Sequence, residues 1–291
     1  MTSEKFKKIA KTIGIIVVCV FALIGFVLVA GYAASQLGLT KVSGIIDLQR
    51  QAFLSSATTT AAADSAPTYP NGTPWQNTQE WQVLSAAITK DAPVINQAAQ
   101  ASGVPARLIV ANLVVEQLRL FFTERGYYEQ FFAPLKILGT QTQFSLGVMG
   151  MKDSTAAEVE TNLQNPSSPF YPGAQYANLL AYPEASTTSS STLTEARFTR
   201  LTDQHNHYYN YLYAGLMMKE LETQWQNAGF PIASNVGVIS TLYNIGFEYS
   251  VPKANPDVGG AAIVINGVTY SFGGLAAQFY SSNLLTNLFP Q

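Results

Sequence analysis

The sequence predicts a mainly α-helical domain with one small β-hairpin, preceded by a single transmembrane helix. Three observations predict it. Residues 80–101 and 106–125 repeat apolar side chains at three- and four-residue intervals, the period of helices with a buried face. Asn266-Gly267 stands between short runs of strand-forming residues, the signature of a two-residue hairpin turn. Residues 12–34 are apolar and uncharged, long enough as a helix to cross a hydrocarbon core of about 30 Å.

Taken in order, residues 1–11 hold Lys5, Lys7, Lys8 and Lys11 against Glu4, a local charge of +3. Apart from Lys41, no lysine closely follows the apolar run, so residues 1–11 are expected inside and everything beyond residue 35 outside. Gly31-Tyr32-Ala33 offers small residues for a cleaved signal peptide. The apolar run exceeds a signal core of about 7–15 residues, which favours an uncleaved anchor. Residues 35–53 are amphipathic, and 54–78 turn to Ser, Thr, Ala, Pro, Asn and Gly, the composition of a flexible tether. The folded domain is expected over 79–291. The only cysteine, Cys19, lies in the apolar run, so that domain must hold together by packing.

A helix over 80–101 is expected to end at Gly103, and Pro105 opens the next, which runs toward Gly126. Residues 126–142 are aromatic-rich and interrupted by Pro134. Thr155 and Glu158 fit a capping box for a helix ending before Pro166. Residues 165–191 form a long Pro-, Tyr- and Ser-rich excursion of the kind that is usually functional or disordered. Thr192 and Glu195 offer a second capping box for a helix running through Met217 to Gln226. Ser234 is placed to cap a helix through Leu242, the hairpin turns at Asn266-Gly267, and a last helix is expected from Gly274 to Leu288. No internal repeat is visible.

Hydrophobic residues make up 47% of the chain and charged ones only 12%, about half the usual quarter. The net charge of −2 leaves −5 outside the basic N-terminus. A basic footprint for nucleic acid is absent.

Ile109, Leu113, Glu116 and Leu120 fall at i, i+4, i+7 and i+11, so Glu116 shares a face with three aliphatic side chains. Desolvation raises the pKa of a buried glutamate, which would suit Glu116 to donate a proton to a leaving group. The plainer alternative is a structural glutamate bonded to a neighbouring helix.

The order of features is more specific than any one of them. A glutamate late in an apolar helix, then Ser145-Leu-Gly-Val-Met-Gly-Met151 leading to another helix, then Thr241-Leu-Tyr-Asn-Ile-Gly246, resembles the lysozyme-like lytic transglycosylases and goose-type lysozymes. The resemblance covers roughly residues 90 to 250 and implies a lysozyme-like helical fold. It implies Glu116 as catalytic acid/base, Ser145, Gly147 and Met149 in the floor of a sugar cleft, and Tyr243 and Asn244 in its wall. It further implies peptidoglycan glycan strands as substrate, no cofactor and no metal. The chain differs from the family pattern at Gly150, where a glutamine is usual, and at Gln117, where a serine is common. Its Glu116 to Ser145 separation is also longer.

Glycoside hydrolysis usually adds a second carboxylate about 5–9.5 Å from the acid. None is evident: Glu124 lies about 12 Å further along the same helix, and Asp153, Glu158 and Glu160 stand near a helix start, where acids serve the dipole. A lone glutamate suits transglycosylation, in which the muramic acid 6-hydroxyl closes a 1,6-anhydro ring. His205 and His207, read as helical, would point about 200° apart, and no cysteine lies nearby for a metal. Tyr208, Tyr209, Tyr211 and Tyr213 are read first as packing residues and second as a sugar platform. The expectation is an outward-facing, membrane-anchored transglycosylase of the bacterial cytoplasmic membrane, with envelope-assembly proteins as further partners. The alternatives are an inactive glycan-binding scaffold and a hydrolytic muramidase.

Overall fold

The computed structural model describes residues 74–122, 145–182, 190–203 and 205–291. The span expected over 12–34, the tether before residue 74, the aromatic-rich 126–142 and Glu124 lie outside these residues. No described helix is long and apolar enough to cross a membrane. The described elements are α1 (Gln79–Ser102), α2 (Ala106–Phe122), β1 (Ser145–Leu146), β2 (Met151–Lys152), α3 (Asp153–Gln164), α4 (Ser190–Leu201), α5 (Tyr208–Asn227), α6 (Val236–Ile245), β3 (Ala262–Ile265), β4 (Val268–Ser271) and α7 (Phe272–Ser281). The domain is mainly helical, with two antiparallel two-stranded hairpins.

Thr78 starts α1 by accepting the Trp81 N–H at 3.1 Å. Gly103, at φ 71°, ends it with its own N–H on the Ala99 carbonyl. Pro93 lies inside α1 on its exposed side, where the carbonyl left without a helical partner can be hydrated. Trp75 is fully buried and meets the Trp81 ring edge-on at 5.2 Å.

In α2 every residue from Arg107 to Leu118 is buried. A helix buried on all sides and mostly apolar belongs in the middle of a core, and α1, α5, α7 and β3 all pack against it. The buried cation at its start, Arg107, donates to five backbone carbonyls. These are Tyr280 at 2.8 Å, Leu284 at 2.9 Å, Phe279 and Phe289 at 3.0 Å, and Ser282 at 2.6 Å. One side chain thus ties the end of α7 to the turns that follow it. Burial lowers the Arg107 pKa from its ordinary value.

A second polar lock joins α3 to α4. Arg197 donates to Asp153 at 3.1 Å and to Glu160 at 2.7 Å, and the hydroxyls of Tyr182 and Tyr213 also meet Glu160. Burial works against the Arg197 charge, but the bonds and charges of Glu160 and Asp153 outweigh it and raise its pKa. Asp153 and Glu160 therefore serve Arg197, beyond any role at the start of α3. The described part of the excursion, 165–182, packs down. Phe170 meets Phe247 edge-on at 4.9 Å. Arg200 lies between the rings of Tyr182 and Tyr209, at 3.7 and 4.4 Å, and donates to the Leu180 and Ala181 carbonyls.

Several boundaries differ from the sequence expectation. The single helix expected from Thr192 to Gln226 is two helices, broken over 202–207. Tertiary bonds hold the break: His207 Nδ1 and the Tyr211 hydroxyl share Asp91 Oδ2 at 2.6 and 2.7 Å. His205 and His207 are consequently not helical. Helix α3 begins at Asp153, so Thr155 is inside its first turn instead of capping it. Asn235, not Ser234, caps α6 by accepting the Val238 N–H. Ser271 caps α7, which starts two residues before Gly274 and ends at Ser281. The hairpin at Asn266-Gly267 is as expected, with φ of 50° and 80° at the two turn residues.

Candidate active site

Glu116 ends the fully packed face of α2 and is only 3% exposed. Its carboxylate reaches a cleft of about 260 Å³ formed where α2, the β1–β2 hairpin, α3, α5 and the end of α6 converge. The hairpin supplies the floor. Its strands pair Ser145 with Lys152 and Leu146 with Met151, and residues 147–150 close the turn with the Gly150 N–H on the Gly147 carbonyl.

Two side chains fix this turn to the helices around it. Gln117 Nε2 donates to the Val148 carbonyl at 2.5 Å, and the Tyr243 hydroxyl donates to the Met149 carbonyl at 2.8 Å. Buried bonds of this kind contribute about 1 kcal/mol each, but here they also set a distance. A Cβ built on Gly150 would lie 2.7 Å from Glu116 Oε2, so glycine lets the backbone approach the carboxylate this closely. Its φ of +63° makes a side chain unfavourable on conformational grounds as well.

Arg119, one helical turn beyond Glu116, places Nη2 2.5 Å from Glu116 Oε2. Burial disfavours the carboxylate's charge and the guanidinium supports it. The expectation that desolvation alone governs Glu116 is therefore incomplete. Tyr243 is buried beside this pair, and burial first, then the Glu116 charge, pushes its hydroxyl well above the ordinary pKa. It is held as a neutral donor. Asn244 accepts the Ala261 N–H at 2.8 Å through its side-chain oxygen, so its amide nitrogen is the group it offers to the cleft.

Of the residues named from sequence, Glu116, Tyr243 and Asn244 line the cleft together. Met149 is fully buried behind the floor, where its carbonyl serves Tyr243. Gly147 faces away: a Cβ there would lie 1.7 Å from Asn210 Oδ1 and 2.5 Å from the Leu201 carbonyl. Gly147 and Met149 thus shape the floor without lining it. Ser145 pairs with Lys152 through the backbone at the mouth of the hairpin.

Sequence reasoning missed Arg119, Lys152, Thr155 and Met217, which also line the cleft. Only Arg119 had a readable signal, its i+3 spacing from Glu116. Among the described lining residues Glu116 is the one carboxylate. Asp153 is committed to Arg197. Tyr211 and Tyr213 are fully buried in the core, and Tyr209 stacks on Arg200, in keeping with packing roles. Among the described residues no group of His, Cys, Asp and Glu could hold a metal ion.

No family model, curated protein or solved structure matches this chain.

Proposed function

We propose that this protein is a membrane-anchored, lysozyme-like lytic transglycosylase that cleaves the β-1,4 bond between N-acetylmuramic acid and N-acetylglucosamine in peptidoglycan. The observation that carries the reading is the setting of Glu116. One carboxylate on a rigid buried helix opens into a cleft beside a glycine turn, faced by Tyr243 and Asn244. General acid catalysis needs a positioned proton donor of this kind, worth about 10²–10⁴-fold in rate.

In this reading protonated Glu116 gives its proton to the glycosidic oxygen as the bond from that oxygen to the muramic acid anomeric carbon breaks. The 6-hydroxyl of the same muramic acid then bonds to that carbon and returns its proton to Glu116. The acid is regenerated, no water is consumed, and the product is a 1,6-anhydro end. Closure within one sugar is favoured by proximity. Asn244 is placed to donate to an N-acetyl carbonyl, and the neutral Tyr243 keeps the floor at its distance from the acid. The lysine-flanked apolar run at 12–34 supplies the anchor and places the domain beside the wall.

Glu116→Gln keeps the shape and removes the acid, so clearing of purified walls should fall by about two orders of magnitude or more. A digest in heavy-oxygen water reads the mechanism. Transglycosylation puts no label on new muramic acid ends and leaves each such fragment lighter by one water. One label at each new reducing end would make the protein a hydrolase, and undiminished clearing by Glu116→Gln would remove Glu116 from the mechanism.

A further inference from the structure

The cleft around Glu116 is small for a polymer. Its volume of about 260 Å³ lies below the roughly 300–1,000 Å³ of sites that enclose a drug-sized ligand. The groups at the bond to be cut fit inside, and the next sugars of the strand must lie on the protein surface beyond. One stretch of surface is continuous with the cleft. The loop over 246–261 leaves it at Gly246 and returns to it at Ala261, both of which line it.

This loop carries Tyr249, Val251 and Val258, three of the six large hydrophobic side chains exposed among the described residues. Tyr249 is 61% exposed, against 37% for Phe230, the other aromatic of the six. The backbone on both sides of Tyr249 is held. Its own N–H donates to the carbonyl of cleft-lining Gly246 at 3.3 Å, and the buried Phe247 packs edge-on against Phe170. Ser250 Oγ accepts from Trp225 Nε1 at 2.9 Å and donates to Gln224 Oε1 at 2.5 Å, while Gln224 Nε2 donates to the Ser250 carbonyl at 3.0 Å. The far end of the loop is tied down as well, by the Gly259 N–H on Thr241 Oγ1 at 2.9 Å and the Ala261 N–H on Asn244 Oδ1 at 2.8 Å. An apolar ring presented on a fixed backbone has little freedom left to lose when a ligand covers it.

We propose that Tyr249 is a stacking platform for a sugar of the glycan that lies outside the cleft, with Val251 widening its apolar surface. This rests on the glycan-cleaving reading above. A pyranose ring presents C–H groups on its faces and hydroxyls around its edge. Those hydrogens carry partial positive charge and meet the negative face of an aromatic ring. The platform makes affinity grow with strand length, so the protein engages long strands in preference to short fragments.

The test uses sulfur-linked β-1,4 oligomers of N-acetylglucosamine, which resist cleavage, one of two sugars and one of six. Each is titrated calorimetrically into the full chain. The parent should bind the longer probe more tightly. Tyr249→Ala should weaken binding of the longer probe by about three- to ten-fold, and Tyr249→Phe and Tyr249→Trp should bind it as the parent does. Parental affinity for the longer probe in Tyr249→Ala overturns the platform while leaving the glycan reading intact. Equal binding of both lengths by the parent does the same, as does a loss in Tyr249→Phe as large as that in Tyr249→Ala. Binding of neither probe by the parent overturns both readings.

Discussion

The two glycines of the β1–β2 turn have opposite surroundings, and alanine at each should separate rate from stability. At Gly150 the added Cβ meets Glu116 Oε2 at 2.7 Å and its carboxyl carbon at 2.9 Å. A carbon–oxygen contact settles at about 3.3 Å, so acid and turn must part by roughly half an ångström. The left-handed φ of +63° adds strain of about 1–2 kcal/mol for a residue with a Cβ. The carboxylate is the end of a side chain and can give way, so Gly150→Ala should fold with a stability loss of about 1–2 kcal/mol. A displacement near 1 Å can cost about 10²-fold in rate, and half of that should cost roughly ten-fold or more. Gly147→Ala puts its Cβ 1.7 Å from Asn210 Oδ1 and 2.5 Å from the Leu201 carbonyl, in the packed seam between the turn and α5. Backbone cannot yield there, and the loss should reach about 3 kcal/mol or more. Urea denaturation and wall-clearing rates per folded molecule measure the two quantities. A Gly150→Ala protein that clears walls at the parent rate would refute the geometry assigned to the acid, and so would a Gly147→Ala protein of parental stability.

Arg107→Met should be among the most destabilising single changes in the domain. It removes five bonds to buried carbonyls, and a loss of about 3–5 kcal/mol is expected in urea melts. Glu220 on α5 is fully buried and bonded to Asn162, and burial pushes its pKa well above the ordinary 4.5. The folded state thus holds this proton at pH values where the unfolded chain has released it, so the contribution of Glu220 to stability declines as pH rises above about 4.5. Burial raises Glu158 and Glu222 in the same direction. Glu220→Gln should therefore stabilise the domain at neutral pH and flatten the pH dependence of its urea melts; a steeper dependence in the mutant would contradict the sign.

The parts of the fold that the sequence made legible are those fixed by local chemistry. Gly103 ends α1 as the sequence predicts because a left-handed glycine acts within a few residues, whereas the Thr78 cap fell within the stretch read as tether. Asn266-Gly267 fixes its hairpin for the same reason. The break between α4 and α5 was not legible, because 202–207 contain neither proline nor glycine and the break is held by Asp91, on another helix. The β1–β2 hairpin was read only as a turn, since two-residue strands are too short to show alternation. In the site, Glu116 stood out because a carboxylate broke an apolar face. Gly147 and Met149 were assigned to the cleft although the tight turn directs them to its far side. Arg119 was visible at i+3, but its weight depends on the cleft around it.

The five carbonyls that Arg107 holds lie between 172 and 182 residues downstream of it. That separation governs timing. Helix α2 can form early, since its bonds are local, but its buried cation has no native acceptors until α7 and the turns after it have been synthesised and have docked. Until then Arg107 favours water, and the helix that bears Glu116 lacks one wall of its core. Closing so long a loop comes late in folding, since chain entropy must be lost before the contact can repay it. The acid, its turn and its tyrosine wall should therefore come together at the end, as one event. A chain still in transit, or one clipped before α7, would display no working cleft, and a wall-cutting activity would switch on only in a finished molecule.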